Sequence, residues 1–143
     1  MAVVEKSVLI ERTAAQMFEL VDRVEDYPKF LPWCGGTELL ERTESKTAAR
    51  LQINYHGLKA YFATENAKEA PRWMKIELRE GPFTRMDGGW CFTPLGDTAC
   101  KVEFRLHYEF SNMVLEKVLG PVFHHIANTF VESFVKRAQQ IYG

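Results

Sequence analysis

Val102, Phe104, Leu106, Tyr108 and Phe110 alternate with Lys101, Glu103, Arg105, His107 and Glu109. A period of two along a chain puts one face of a strand in a core and the other in water. This run, Ala99–Phe110, is the last and most regular of six; Leu39–Thr43, Thr47–Tyr55, Leu58–Ala67, Arg72–Glu80 and Thr84–Pro94 precede it. Between them stand Glu44-Ser45, Gly57, Ala70-Pro71, Gly81-Pro82 and Gly96-Asp97, all residues that favour turns. Strands at hairpin spacing predict an antiparallel meander that curls around whatever covers its apolar face. Another strand is expected over Ala2–Ile10, where Val4, Val8 and Ile10 share a face that Lys6 interrupts.

Two stretches change to the helical period. Thr13 and Gln16 have capping-box spacing, and Met17, Leu20, Val21 and Val24 follow on one face. After Asn112 the period is helical again, with Gly120-Pro121 expected to break or kink it. Beyond that point Phe123, Ile126, Ala127, Phe130, Phe134, Ala138 and Ile141 form a stripe, while Glu132, Lys136, Arg137 and Gln140 take the other side. At about 1.5 Å per residue this segment spans roughly 30 Å, enough to cross a sheet. The order strand, helix, six strands, long helix predicts an α+β fold over residues 1–143 as one domain. Its economical form is a curved antiparallel sheet of about seven strands gripping the long C-terminal helix. A concave sheet and a straight helix do not close fully, so a lined tunnel between them is expected.

The segment VEDYPKFLPWC, Val24 to Cys34, fits neither pattern. It gathers Tyr27, Phe30, Leu31 and Trp33 around Pro28 and Pro32; a central strand would not tolerate the prolines, and a surface loop would be more polar. Tyr27 to Phe30 is compatible with one short helical turn. The segment either plugs one end of the core or forms the rim of an apolar opening.

Composition narrows the classes. The chain is 46% hydrophobic and 26% charged, with a formal net charge of −1, so no global field draws it to nucleic acid or anionic membrane. The start, MAVVEKSVLIERT, has neither a signal-peptide nor a transit-peptide pattern, and no stretch approaches the roughly 18 apolar residues of a membrane span. Three cysteines, Cys34, Cys91 and Cys100, show no C-x-x-C spacing and suit a reduced cytoplasmic protein.

Chemistry is hard to find. His56, His107, His124 and His125 read as surface or boundary residues, without metal-binding spacing, and no cofactor is expected. Gly88-Gly89 is too short to cradle a phosphate and reads as a bulge or a close backbone contact. Acid–base work would need inward carboxylates, and only Glu65 and Asp87 are candidates, with their faces open. What remains is an apolar lining of Leu51, Ile53, Phe62, Met74, Ile76, Leu78, Trp90, Phe92, Phe104, Leu106 and Tyr108 with the helix phenylalanines. These side chains either fill a core or surround a pocket adaptable to an apolar ligand.

Three motifs in order carry a family resemblance. VEDYPKFLPWC resembles the segment marking the Coq10/RatA-like branch of the START-like (polyketide cyclase/dehydrase, SRPBCC) superfamily. EGPFTRMDGGWCF, Glu80 to Phe92, is similar to that branch's Gly-Pro-Phe turn with its following Gly and Trp-x-Phe. VFHHIANTFVESFVKRAQQIYG is similar to its closing helix. The resemblance spans essentially the whole chain and implies a helix-grip (START/Bet v 1-like) fold. It implies one of two activities. One is non-enzymatic binding of ubiquinone or a similar isoprenoid lipid in support of respiration, with transient membrane contact. The other is a ribosome-association toxin of a toxin–antitoxin pair, acting on the large ribosomal subunit. A polyketide cyclase-like enzyme is the remoter implication, and DNA is not an expected partner. For a bacterial, cytoplasmic member, the expected ligand-binding residues are Tyr27, Phe30, Leu31, Trp33, Phe62, Met74, Ile76, Phe83, Trp90, Phe92, Phe104, Phe123, Ala127, Phe130 and Phe134. The first four, with Pro32, would then form the tunnel mouth, and Lys117, Lys136 and Arg137 would supply a ribosome footprint.

Overall fold

The computed structural model describes residues 2–143. Seven antiparallel strands form one sheet in the order β1-β7-β6-β5-β4-β3-β2. They are β1 (Ala2–Ile10), β2 (Cys34–Arg42), β3 (Lys46–Tyr55), β4 (Leu58–Glu69), β5 (Trp73–Glu80), β6 (Phe83–Leu95) and β7 (Ala99–Phe110). β2 to β7 are successive hairpins, and β1 returns to lie against β7, from Ala2 opposite Tyr108 to Ile10 opposite Cys100. The chain must therefore travel from one sheet edge to the other between β1 and β2. Helix α1 (Ala14–Asp22) and a short 3₁₀ segment (Val24–Lys29) make that journey. Helix α2 (Met113–Tyr142) then packs against β1 and β7 and against α1. The helix-grip, START-like architecture expected from the sequence is what forms.

α1 starts where its chemistry says it should. Thr13 Oγ1 accepts from Gln16 N at 3.1 Å, and Gln16 Oε1 accepts from Thr13 N at 2.9 Å, so two helix-end amides are satisfied reciprocally. Thr13→Ala is expected to lower stability by about 1 kcal/mol, read as a shifted urea midpoint at unchanged slope. A change in slope would mean that the cap also shapes the unfolded ensemble.

α1 buries Met17, Phe18, Leu20 and Val21 and ends at Asp22, earlier than the helical spacing implied. Val24 is buried from the 3₁₀ segment, which tolerates Pro28. α2 runs continuously through Gly120 and Pro121, so of the break or kink expected there the break does not occur. An interior proline costs about 3 kcal/mol, but burying a large apolar side chain contributes about 1.5–3 kcal/mol, and Leu119, Phe123 and Ile126 flank it on the buried face. Packing outweighs propensity here. The stripe also ends differently: Ile141 is exposed, while Tyr142 is half-buried and its hydroxyl donates to the Gln16 carbonyl at 3.3 Å.

β2 begins at Cys34, five residues before the expected Leu39. Cys34 pairs with Ile53 and Gly36 with Gln52, with a register irregularity between, so Gly35-Gly36 is bulged strand.

Candidate functional site

VEDYPKFLPWC closes one end of the sheet–helix space. Tyr27, Leu31 and Trp33 are buried, Phe30 is partly buried and Pro32 is exposed, so the segment is a plug in this conformation rather than an open rim. Backbone bonds hold it: Leu31 N donates to the Tyr27 carbonyl at 2.9 Å, and Asn54 N to the Trp33 carbonyl at 2.8 Å. The Tyr27 hydroxyl donates to the Val21 carbonyl, and burial raises its pKa well above the ordinary phenol value. The tyrosine ring meets Phe134 edge-on at 5.4 Å and Phe130 at 6.2 Å.

Behind the plug lies a cavity of about 60 Å³. Ten of the expected residues line it: Tyr27, Trp33, Phe62, Met74, Ile76, Trp90, Phe104, Phe123, Ala127 and Phe130. Phe30, Leu31, Phe83, Phe92 and Phe134 do not; they fill the surrounding core. Phe83 packs on Phe110 and Phe123 at 4.8 and 4.9 Å, Phe92 on Phe18 at 5.6 Å, and Phe134 on Phe30 at 5.2 Å. The wall also includes Val21, Val24, Ala49, Met86 and Ile126, and two polar residues that the sequence reading passed over, Thr64 and Asn66. Their signal was present in the β4 alternation. Phe62, Thr64, Asn66 and Lys68 share one face, apolar at one end and cationic at the other. A benzene-sized void needs about 150 Å³, so a space of about 60 Å³ admits a small polar group but no ring unless the walls give.

The inward carboxylate is neither Glu65 nor Asp87. Glu65 is half-buried and pairs with Lys46 at 2.9 Å, which holds its pKa below the usual carboxylate range. Asp87 pairs with Arg85 at 2.7 Å, which has the same effect. The carboxylate that is drawn in is Asp22, at the end of α1, where it accepts from Lys68 Nζ at 2.9 Å and from Thr47 Oγ1 at 2.6 Å. It is committed to structure. Burial pushes the Cys34 thiol up to about 11, so it stays protonated at neutral pH. Among the described residues no three His, Cys, Asp or Glu side chains gather as a cation site, and no helix is long and apolar enough to cross a membrane.

The expected footprint of Lys117, Lys136 and Arg137 does not form a patch. Lys117 and Lys136 sit on one continuous helix, roughly 28 Å apart along its axis. Lys136 lies 3.6 Å from Glu132, and Arg137 lies over the Phe30 ring at 5.2 Å.

Comparison with known proteins agrees with the architecture. Residues 10–135 match the family described as polyketide cyclase / dehydrase and lipid transport. The ribosome association toxin RatA of Vibrio cholerae is 40% identical over 140 residues, covering 98% of this chain and 97% of that protein. The mitochondrial coenzyme Q-binding protein COQ10 homolog B of Xenopus laevis is 25% identical over 133 residues, covering 90% of this chain and 54% of that protein. A START superfamily protein from Mycobacterium smegmatis superposes with a TM-score of 0.75 at 23% identity, covering 97% of this chain and 98% of that one.

Proposed function

The chain belongs to the polyketide cyclase/dehydrase and lipid transport family, and from that premise we propose that it binds a hydrophobic ligand of the isoprenoid-quinone class, ubiquinone foremost, between sheet and helix, in support of respiration and without turnover. The observation that carries this reading is the chemistry of the cavity wall: aromatic, aliphatic and thioether side chains with two hydroxyls, of Tyr27 (already bonded to the Val21 carbonyl) and Thr64, and one amide, and no carboxylate, imidazole, amine or thiol among the described residues. Such a wall binds by contact and has no group poised to move a proton. The coenzyme Q-binding relative supports the same ligand class. Admitting a ring requires the wall to yield. Met74 and Met86 can re-pack, and Phe130, only partly buried and wedged between Trp33 at 6.2 Å and Trp90 at 5.6 Å, is the side chain to move. Membrane contact during loading falls on the first turns of α2, where Met113, Val114 and Val118 are exposed.

A decyl-tailed benzoquinone is expected to bind saturably, with affinity on the order of micromolar, because each buried methylene contributes about 0.8 kcal/mol before association costs. Phe130→Ala is expected to bind it several-fold more tightly while losing about 2–3 kcal/mol of stability, and Phe130→Glu to abolish binding. Absence of saturable binding to both the wild type and Phe130→Ala would end this reading.

Ribosome association is the second reading, favoured by the near full-length likeness to proteins named for it. It belongs to the outer surface. Pelleting with large ribosomal subunits at moderate salt, undiminished in Phe130→Glu and without any quinone titration, would put it first.

A further inference from the structure

Two atoms of the cavity wall lack partners. Trp33 is 3% exposed, and its indole Nε1–H donates to nothing among the described residues. Asn66 Oδ1 is equally shut away from water and equally without a partner. The amide orientation follows from Met74, whose Sδ lies 3.5 Å from Asn66 Nδ2. A thioether accepts and cannot donate, so the nitrogen belongs on that side and the oxygen remains free to accept. Both residues line the same cavity. A buried donor or acceptor left unpaired forfeits its full hydration, and a native interior rarely holds two such groups in one void without a use for them.

We infer that the cavity recognises a hydroxyl-bearing head group, whose oxygen accepts from Trp33 Nε1–H and whose proton is donated to Asn66 Oδ1. Head groups that only accept or only donate satisfy half of the pair. A carbonyl accepts from Trp33 and leaves Asn66 unmet. A carboxylate does the same and brings a charge into an apolar wall, and an ammonium can only donate. For the quinone class the consequence is selectivity between redox states: the quinol, with its hydroxyls, suits both atoms, and the quinone suits one. This inference rests on the reading that the cavity holds a ligand. It adds which form of the ligand is held.

The test is calorimetric titration of the intact protein, under anaerobic conditions, with decyl-tailed benzoquinone and with the same molecule reduced to its quinol. The quinol is expected to bind about tenfold more tightly, the difference made by one buried acceptor that is paired or left unpaired. Asn66→Leu should erase that preference by weakening the quinol and leaving the quinone unchanged. Trp33→Phe should weaken both forms alike, since both accept from the indole. Equal affinity of the two forms in the wild type, preference for the quinone, or Asn66→Leu weakening both forms equally would each overturn the inference while leaving ligand binding in place. Failure of both forms to bind, to the wild type and to Phe130→Ala alike, would remove the ligand reading and this inference with it.

Discussion

Asp22→Ala is expected to lower stability by about 3 kcal/mol, far beyond what one carboxylate at a helix end usually contributes. The Lys68 side chain is 6% exposed and the Asp22 side chain 16%, and they meet at 2.9 Å beneath the end of α1. Thr47, itself buried, donates to the other carboxylate oxygen at 2.6 Å. Arg42 donates to the Asp22 carbonyl at 2.8 Å. Removing the carboxylate leaves an ammonium and a hydroxyl buried with no acceptor, and that desolvation, rather than the loss of an attraction, sets the cost. The corollary separates the two causes. Asp22→Leu combined with Lys68→Met replaces both charges with apolar atoms of similar size and is expected to recover most of the loss, the remainder being the Thr47 hydroxyl left without its acceptor. Urea unfolding of the single and double variants measures both. If the double variant is as unstable as the single one, the pair supplies specific attraction that apolar packing cannot replace.

That network also marks where sequence pattern stopped being informative. β7 was legible residue by residue because its face to water and its face to the core differ at every step. The capping box at Thr13 was legible because both of its bonds are local. Asp22 was not, since its partners lie 25 and 46 residues further along the chain and only the meander brings them under α1. The helix continues through Pro121 for a related reason: a local cost is visible in sequence, while the packing of Leu119 and Phe123 that offsets it is not. The candidate site divides along the same line. Eight of the ten lining residues followed from alternation and helical spacing, because any inward apolar residue near the middle of the sheet is near the cavity, and Tyr27 and Trp33 from the aromatic segment that fits neither period. Periodicity could not distinguish Phe62, which lines it, from Phe83, which packs beside it, nor show that Asn66 on an inward face meets a void instead of a partner. Filled and hollow differ by a side chain's rotation, which has no period.

Gly88→Ala is expected to be the most damaging small substitution in the chain, costing about 4 kcal/mol or more and leaving little soluble folded protein. β6 lies between β5 and β7, with Gly88 opposite Ile76 on one side and Leu106 on the other. A Cβ built on Gly88 falls 2.0 Å from the Arg105 carbonyl oxygen and 2.9 Å from the Leu106 Cα, both backbone. One on Gly89 falls 2.6 Å from the Met74 carbonyl oxygen on the opposite neighbour. The strands therefore press on the glycine pair from both sides, and relief requires β6 and β7 to part by about 1 Å along a paired ladder, not the rotation of one side chain. Glycines in close backbone contact are one device by which sheets curve. Met86 and Trp90, two residues to either side of Gly88, are cavity wall, so a flattened ladder would also reshape the site. Gly89→Ala should be milder, in line with its looser contact. Gly57→Ala is the control: its φ is +81° with nothing within 4 Å, so it should cost only about 1 kcal/mol, from backbone strain alone. Thermal unfolding of the three variants side by side gives the ranking. A Gly88→Ala protein that melts within a few degrees of wild type would show that the β6–β7 ladder yields easily and that the curvature gripping α2 does not depend on a missing side chain.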